Sequence, residues 1–272
     1  MMTALTHPIR VVYFAGPYLE PAALRFVAML EGHPEVELVL GLCQGDGAGF
    51  RHRLQNLWRR RGLLALPVLA VDLLETLWEF VRAPQASLAL RRLARPALAK
   101  FETVPDVHAP EMLERLQALA PDLGVIYGGP ILKPEVFEIP ALGTLGIHHG
   151  RTPQYRGKKT TFWEVFNGER TAGVTIQRLN RGIDTGDIVR TAEVEIGRKS
   201  YSRVWREAQQ VGCETFLAAV LDMKRGCATF TPQNLSVPRG PLYKQPRPRD
   251  ILALSWRRLT GRAAARTPVT RP

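Results

Sequence analysis

The stretch GIHHGRTPQYRGKKTTFW, residues 146–163, joins the end of an apolar run to a turn rich in basic side chains. The apolar run ends in two adjacent histidines, His148 and His149, at a point where an ordinary strand would simply stop. A polar residue that ends a parallel strand at the carboxyl edge of a sheet faces the crevice in which such folds bind ligands. His148 is therefore a candidate functional residue, although a single histidine in such a place is more often structural than catalytic.

Two further features favour a functional interpretation. The turn TPQYRGKK contains Arg156, Lys158 and Lys159, which suit an anionic or polar substrate. The segment NRGIDTGDI carries Asp184 on a loop punctuated by glycines, just before another apolar run. A carboxylate held by a loop can accept a hydrogen bond from an imidazole, which fixes the tautomer of the ring and favours its protonated form. We expect His148 and Asp184 to approach within hydrogen-bond or one-water distance.

Outside these segments the chain alternates between strand-like and helix-like patterns. Short apolar runs rich in β-branched residues alternate with amphipathic runs at helical spacing. The predicted strands are Ile9–Gly16, Val36–Cys43, Asp122–Gly129, Gly143–Gly150, Ala172–Leu179 and Asp187–Ile196, and the predicted helices are Pro21–Glu31, Pro110–Ala120, Thr160–Gly168 and Ser202–Lys224. This order predicts an α/β fold with a mostly parallel twisted sheet and helices on both faces.

Residues 51–100 interrupt the alternation and are interpreted as a basic helical insert. Within them, VLAVDLLETLWEFVR confines its polar side chains to one narrow stripe, so its apolar face is unusually wide. Pro67 and three carboxylates argue against a membrane span, because an acidic residue at mid-bilayer costs about 2.5–3.5 kcal/mol. Two interpretations stay open: a helical hairpin that packs on the main domain or on a second subunit, and an element that docks on a membrane surface or a partner.

The net charge of +12 is concentrated in two segments. Ten basic residues face three acidic ones in residues 51–100, and nine face one in residues 239–272, so the rest of the chain is slightly acidic. Such patches address membrane headgroups, nucleic acid or an acidic protein, and the alternative is a merely solvated basic face. We divide the chain into a main domain, residues 1–238, which contains the insert, and a short basic, Pro-rich C-terminal tail, residues 239–272.

Composition and cysteine content bear on the class of protein and its compartment. A chain of 272 residues that is 45% hydrophobic and 23% charged is typical of a globular protein with one large domain and appendages. Three cysteines, at spacings that suit no metal site, indicate a reduced compartment. The opening MMTALTHPIR lacks the pattern of a signal peptide. We expect a cytoplasmic protein, either free or peripheral at the membrane, that needs no metal.

Taken together, the motifs resemble those of the formyltransferase family, which includes methionyl-tRNA, glycinamide ribonucleotide and sugar-nucleotide formyltransferases. The resemblance is carried by Ile147-His148, Pro153-x-Tyr155-Arg156-Gly157, Asn167-Gly168-Glu169, Gly173-Val174-Thr175-Ile176 and Gly182-Ile183-Asp184-Thr185-Gly186. It extends upstream through VVYFAGPY and VIYGGPILKPEVFEIPALGTLGIH, and it omits the insert and the tail. The fold that it implies is Rossmann-like.

The resemblance implies transfer of a formyl group from 10-formyltetrahydrofolate to an amine, without a metal. It assigns His148 to stabilising and protonating the tetrahedral intermediate, and Asp184 to positioning His148 and shuttling protons. The pterin would be held by Gly128, Gly129 and Ile131 together with Arg181, Gly182 and Ile183. The predicted substrate contacts are His149, Tyr155, Arg156, Gly157, Lys158 and Lys159.

One position departs from the family pattern. The family's catalytic set is Asn-x-His followed by a distant Asp, and two residues before His148 this chain has Gly146, which carries no side-chain donor. Loss of one oxyanion donor typically costs about 10²–10³ in rate. His149 is a candidate for the missing donor, whereas the alternation of side chains along a strand predicts that it points to the other face.

Two functions follow from the sequence. The first is a folate-dependent N-formyltransferase that acts on a small molecule or an amino sugar. The alternative is a diverged protein of the same fold that transfers another acyl group or only binds a ligand. The segment GPLYKQPRPRDI resembles the closing segment of sugar and small-molecule formyltransferases. We expect the acceptor to be a small amine, either free or bound to a carrier, and we expect the basic segments to meet an anionic membrane surface or an acidic protein rather than nucleic acid.

Overall fold

Strand β1 (Ile9–Ala15) shows how the sheet divides the core in two. Successive side chains of a strand point to opposite faces of the sheet. Ile9, Val11 and Tyr13 enter one buried apolar cluster, whereas Val12 and Phe14 enter a second cluster. Both faces of the sheet are therefore covered, which explains why residues 11–15 of the strand form a continuous apolar run.

The computed structural model describes residues 3–17, 19–45, 84–233 and 241–260. After β1, the elements in these ranges are α1 (Pro21–Glu31), β2 (Val36–Gln44), α2 (Pro84–Leu98), β3 (Phe101–Val104), α3 (Pro110–Leu119), β4 (Leu123–Ile126), α4 (Pro134–Phe137), β5 (Thr144–His148), β6 (Arg156–Gly157), α5 (Thr160–Phe166), β7 (Thr171–Arg178), β8 (Ile188–Glu195), α6 (Tyr201–Arg225), β9 (Leu242–Tyr243) and α7 (Pro248–Leu259).

The main sheet of the described residues has the strand order β3-β2-β1-β4-β5-β7-β8. The first five strands in this order are parallel to one another. Strand β7 is antiparallel to both β5 and β8. The predicted fold class, a mostly parallel sheet with helices on both faces, is confirmed. The strand order reverses between β1 and β4, and open α/β sheets bind ligands beyond the carboxyl ends of the strands at such a point.

Helices cover the sheet on both sides. On one side Phe26 of α1 and Phe216 of α6 are fully buried and stack with their ring centroids 4.4 Å apart. On the other side Met112 and Leu116 of α3 are buried. Helix α6 begins after Ser200, whose side chain caps it, and ends at Gly226, whose φ of 67° stops the helix.

Several predicted boundaries differ from the observed ones. Strand β4 ends at Ile126 rather than at Gly129, because Gly128 has a φ of 67° and turns the chain. The short strand β3 was not predicted, since four residues give too little alternation to recognise. The described part of the predicted insert contains α2 (Pro84–Leu98), whereas the segment predicted to form a helix with a wide apolar face lies outside the described residues.

The described part of the predicted tail, residues 241–260, packs on the domain. Strand β9 pairs with β6, and Leu254 of α7 is only 7% exposed and joins the larger core cluster. Arg257 lies over the ring of Phe166 at 4.5 Å from its centroid. A composition rich in Pro and Arg does not indicate these contacts, because a short backbone pairing and two single side chains make them. The boundary at residue 239 stays a prediction.

Candidate active site

His148 is the last residue of β5, and both nitrogens of its ring face protein atoms. Nε2 lies 2.7 Å from the carbonyl oxygen of Tyr155, and Nδ1 lies 3.4 Å from Oδ1 of Asp184. A carbonyl oxygen can only accept, so Nε2 carries a hydrogen and donates it. Nδ1, which faces a carboxylate, is therefore the nitrogen at which a proton can be gained or lost.

Asp184 reaches His148 from a direction that the sequence did not indicate. Because β7 is antiparallel to β5, Arg178 lies opposite the second residue of β5 and the chain leaves β7 beside the start of that strand. The β7–β8 loop (residues 179–187) then returns across one face of the sheet until Asp184 lies beside His148. The return is tight, since a side chain at Gly186 would collide with the carbonyl oxygen of Arg178.

The structure holds Asp184 by both its side chain and its backbone. Oδ2 accepts a hydrogen bond of 2.8 Å from the backbone N–H of Gly157, and Oδ1 accepts one of 3.3 Å from Nε2 of Gln177. The buried amide of Gln233 donates to the carbonyl oxygens of Asp184, at 3.1 Å, and Gly186, at 2.9 Å. Asp184 has a φ of 51°, a conformation that is unfavourable for most residues and that these contacts offset.

The predicted approach of His148 and Asp184 is confirmed, but two glutamines that support it were missed. Gln177 gave a signal, since it is a polar side chain in the apolar strand AGVTIQRL and is buried. Gln233 gave none, because it reaches the loop only after Thr231 pairs with Ile188. The support that Gln233 gives to the loop depends on a contact between residues distant in the chain, which no local sequence pattern indicates.

His149 points to the opposite face of β5 from His148. Its Nε2 lies 3.3 Å from the hydroxyl of Tyr127, and its ring centroid lies 4.8 Å from that of Trp205. Burial, with smaller effects of His148 and Lys159, lowers the pKa of His149 to about 3, so the ring is neutral near pH 7. The hypothesis that His149 supplies the donor missing at the His148 face does not fit this orientation. Its contact with substrate stays a prediction.

Gly146 lies on the same face of β5 as His148, beside apolar side chains. A Cβ at this position would lie 2.8 Å from Cδ1 of Leu179 and 3.2 Å from Cγ2 of Ile126. Leu179 begins the β7–β8 loop, so the return of that loop fills the space next to Gly146. Neither of these two neighbours carries a hydrogen-bond donor in its side chain.

The residues predicted to hold a pterin fall in two exposed segments. They are Gly128, Gly129 and Ile131 after β4, and Arg181, Gly182 and Ile183 in the β7–β8 loop. The side chain of Ile131 is 80% exposed and that of Ile183 is 49% exposed. Two exposed isoleucines offer apolar surface that a flat aromatic ring can cover. The assignment of these six residues stays a prediction.

The three charged side chains of the basic turn (residues 155–159) differ in whether they are bonded to the protein or face solvent. Arg156 donates to the carbonyl oxygen of Ile183 at 2.6 and 3.1 Å, so its guanidinium is tied to the β7–β8 loop. Lys158 and Lys159 are exposed, and Nζ of Lys159 lies 5.4 Å from the ring centroid of Trp205. These two lysines are thus the members of the predicted substrate set whose charges face solvent.

The cavities do not single out the site. A cavity of about 100 Å³ lies where β1 and β4 end, lined by Gly16, Glu20 and Tyr127 among others. A larger one, about 420 Å³, is lined by Gln117 and Glu138 and lies beside residues that precede β4 and β5. The larger cavity therefore opens at the opposite edge of the sheet from His148.

A buried carboxylate lies behind the site and was not recognised from the sequence. Glu164 of α5 is 0% exposed, and its Oε1 accepts hydrogen bonds from the backbone N–H groups of Arg151, at 3.0 Å, and Gly173, at 3.1 Å. Burial raises the pKa of Glu164 to about 8, although both N–H groups act to lower it. Glu164 thus fastens the segment just after His149 to strand β7.

No group of three or more His, Cys, Asp or Glu side chains that could hold a metal ion occurs among the described residues.

The fold and the site define an α/β protein with a histidine–aspartate pair over a mostly parallel sheet. Residues 78–220, just over half of the chain, match the family model described as formyl transferase. The chain belongs to the formyl transferase family.

Curated relatives of this chain are enzymes named for a transfer RNA substrate. A methionyl-tRNA formyltransferase of Synechococcus sp. is 34% identical over 152 residues, which make up 55% of this chain and 46% of the relative. The chain spans about half the length of the curated relatives it matches.

Solved structures share the fold at low identity. A 4-N formyltransferase from Francisella tularensis has a TM-score of 0.56 at 15% identity, over 91% of this chain and 87% of that one. HypX from Aquifex aeolicus, in complex with tetrahydrofolic acid, has a TM-score of 0.51 at 19% identity, over 84% of this chain and 28% of that one. At such identities the likeness shows the fold alone.

The pKa of Glu164 leads to a prediction on stability. The folded state keeps a proton up to about pH 8, whereas the unfolded chain releases it above about pH 4.5. Since the folded state then binds more protons, the free energy of unfolding falls as pH rises between these values, by up to about 1.4 kcal/mol per pH unit. Glu164→Gln should remove this contribution, so the variant should gain stability relative to wild type from pH 5 to pH 8.

Urea unfolding of both proteins across this pH range measures the difference. Glu111→Gln, at an exposed position of α3, is the matched control and should follow wild type at every pH. Parallel curves for wild type and Glu164→Gln would contradict the assignment of a protonated Glu164.

Proposed function

We propose that this protein transfers a formyl group from 10-formyltetrahydrofolate to the amine of a small molecule or an amino sugar. The observation that carries the proposal is the contact of His148 with Asp184, at 3.4 Å, in a chain of the formyl transferase family. Formyl transfer needs a group that gives and takes a proton while one nitrogen attacks the formyl carbon and another leaves. An imidazole backed by a carboxylate suits this task near neutral pH.

Formyl transfer exchanges one bond to carbon and one proton between two nitrogens. The acceptor nitrogen bonds to the formyl carbon, and the bond from that carbon to the folate nitrogen breaks. The acceptor loses one proton and the folate nitrogen gains one. His148 would pass this proton through Nδ1, and the positive charge of its protonated ring would stabilise the oxyanion. Asp184 would hold the ring and balance its charge. Nε2 remains bonded to the carbonyl oxygen of Tyr155, which fixes the plane of the ring.

The folate would lie against the segment after β4 and the β7–β8 loop. In support, Ile131 and Ile183 expose apolar side chains in these two segments, and HypX, which shares the fold, binds tetrahydrofolic acid in its solved structure. The acceptor would carry negative charge, since Lys158 and Lys159 are exposed in the turn that follows His148 in the chain. A nucleotide-linked or otherwise carrier-bound amino sugar has this chemistry.

One observation favours the second function, transfer of another acyl group or binding without transfer. Leu179 and Ile126 fill the space beside Gly146, where the family resemblance implies a donor for the oxyanion. A site without that donor is less suited to a tetrahedral oxyanion. The following experiments separate the two functions.

Wild-type protein should turn over 10-formyltetrahydrofolate in the presence of an amino-sugar acceptor and should bind 5-formyltetrahydrofolate in calorimetry. His148→Ala and Asp184→Ala should each lower turnover by about 10²–10⁴, because general acid–base catalysis contributes about this much. Binding of the folate should persist in both variants. The acceptor panel should include a nucleotide-linked amino sugar, glycinamide ribonucleotide and methionyl-tRNA.

The acceptor that is formylated decides the substrate class, and methionyl-tRNA alone would contradict a small-molecule acceptor. Wild-type protein that binds no folate would contradict formyl transfer and leave the second function. Wild-type protein that binds folate but does not turn it over with any acceptor of the panel would also contradict formyl transfer and would favour a protein that only binds a ligand.

Restoring a donor at position 146 is a separate prediction. An asparagine there needs room, and truncating Leu179 supplies it. Gly146→Asn combined with Leu179→Ala should transfer formyl faster than Leu179→Ala alone, since an added oxyanion donor is worth up to about 10²–10³ in rate. Single-turnover kinetics of the two variants measure this. A slower double variant would indicate that the space serves a different substrate.

We also propose that the protein works in the cytoplasm and docks on an anionic membrane surface. Exposed apolar side chains and arginines occur together on both described appendages. On α7 these are Ile251, Leu252 and Trp256 with Arg249, and Arg247 directly precedes the helix. On α2 they are Leu93 with Arg91, Arg92 and Arg95. This combination is typical of helices that lie in a membrane interface. No helix of the described ranges is long and apolar enough to cross a bilayer.

The protein should pellet with vesicles that contain phosphatidylglycerol and not with phosphatidylcholine vesicles. Binding should weaken with salt, since the screening length falls to about 8 Å at physiological ionic strength. Leu252→Glu with Trp256→Glu should abolish pelleting. The control, Gln117→Glu with Ala118→Glu, adds the same charge at two exposed positions of α3 and should leave pelleting unchanged. Equal binding of both double variants would contradict docking through α7.

A further inference from the structure

One short turn supplies a contact to each member of the catalytic pair. The carbonyl oxygen of Tyr155 accepts from Nε2 of His148 at 2.7 Å. Two residues later, the N–H of Gly157 donates to Oδ2 of Asp184 at 2.8 Å. A displacement of this turn would therefore change the position of the imidazole and of the carboxylate together.

The backbone of β9 holds the turn in place. Strands β6 and β9 pair in parallel, with Gly157 opposite Tyr243, and the N–H of Lys158 donates to the carbonyl oxygen of Tyr243 at 2.8 Å. Gly157 has a φ of 102°, and a side chain at this position would collide with that carbonyl oxygen. The two segments thus approach as closely as only glycine permits.

The side chain of Tyr243 stabilises the turn as well, through ring stacking and a hydrogen bond. Its ring stacks on that of Tyr155, with centroids 5.2 Å apart and planes inclined by 8°, and it also packs on Trp163, at 5.5 Å. Nδ2 of Asn167 donates to both phenol oxygens, at 3.1 Å for Tyr155 and 3.2 Å for Tyr243. The hydroxyl of Tyr155 donates onward to Glu169 at 2.8 Å. The stack therefore fixes the residue whose carbonyl oxygen receives the hydrogen of His148.

We propose that Tyr243 is a positioning residue for the pair formed by His148 and Asp184, a role in catalysis that rests on the proposed function. Its ring and hydroxyl contact Tyr155, Trp163 and Asn167, so it acts on the pair through the turn. Tyr243 lies beyond residues 78–220, the part that matches the formyl transferase model. The segment after the matched part thus completes the geometry of the site.

A purely structural role for Tyr243 makes different predictions from a positioning role. If the stack only attached β9 and α7 to the core, its loss would lower stability and leave the surroundings of His148 unchanged. If it positions the turn, its loss changes the hydrogen bonds of the imidazole even in protein that remains fully folded. Small misplacements of catalytic groups lower rates by up to about 10²-fold.

The experiment compares Tyr243→Ala and Tyr243→Phe with Leu242→Ala. Leu242 is the matched control, since it is the neighbouring residue of β9 and its side chain is 50% exposed. Thermal unfolding establishes that each variant is folded. NMR of the ring nitrogens of His148, assigned by comparison with His148→Gln, reports hydrogen bonding in the ligand-free protein. Steady-state kinetics then separate kcat from KM.

Tyr243→Ala should shift the ring-nitrogen signals of His148 and lower kcat about 10- to 100-fold, with little change of KM for the folate. Tyr243→Phe, which keeps the stack, should restore both readouts nearly to wild type, and Leu242→Ala should match wild type in both. Folded Tyr243→Ala with unchanged signals of His148 would overturn the proposal. If wild-type protein transfers no formyl group, the proposed function fails, whereas the NMR comparison still decides whether Tyr243 positions the imidazole.

Discussion

The site depends on holding one imidazole between two acceptors that come from different parts of the chain. Strand β5 fixes the backbone of His148, but the carbonyl oxygen of Tyr155 and the carboxylate of Asp184 reach the ring from separate loops. A buried polar ring that loses one partner carries an unpaired group, which costs about 1–3 kcal/mol. Both loops are therefore constrained by the ring as much as the ring is constrained by them.

The antiparallel strand β7 explains most of the local sequence around Asp184. Since β7 ends beside the start of β5, the chain must travel back along the sheet before an aspartate can reach His148. The return needs a tight bend at Gly186 and a left-handed residue at Asp184. Asn180 stabilises the start of the β7–β8 loop. Its Oδ1 accepts hydrogen bonds from the N–H of Gly182, at 2.9 Å, and from the hydroxyl of Thr185, at 2.8 Å. The same path puts Leu179 next to Gly146. The loop that positions the carboxylate of Asp184 therefore also places an apolar side chain on the face of β5 that carries His148.

Much of the framework could be predicted from the sequence, because continuous apolar runs and amphipathic runs reflect burial directly. Strand β1 and helices α1 and α6 were recognised in this way, and His148 stood out as a polar residue at the end of such a run. The direction of β7 was not predictable, since an apolar strand has the same pattern in either orientation. Glu164 was missed because a carboxylate within a short helical pattern is ordinarily exposed, and only its backbone partners at Arg151 and Gly173 make its burial tolerable.

The pairing of β6 with β9 has a consequence for the order in which this protein acquires its structure. Chains are synthesised from the amino end, and domains begin to fold during synthesis. The strands of the main sheet in the described residues all lie before residue 200, whereas Leu242 and Tyr243 are made more than forty residues after the last of them. When residue 200 has been synthesised, the chain contains His148 and Asp184 but not yet the partner strand of β6. The turn below the imidazole therefore gains its support from β9 only after the strands of the sheet have been made, so completion of the site is a later event in synthesis than completion of the sheet.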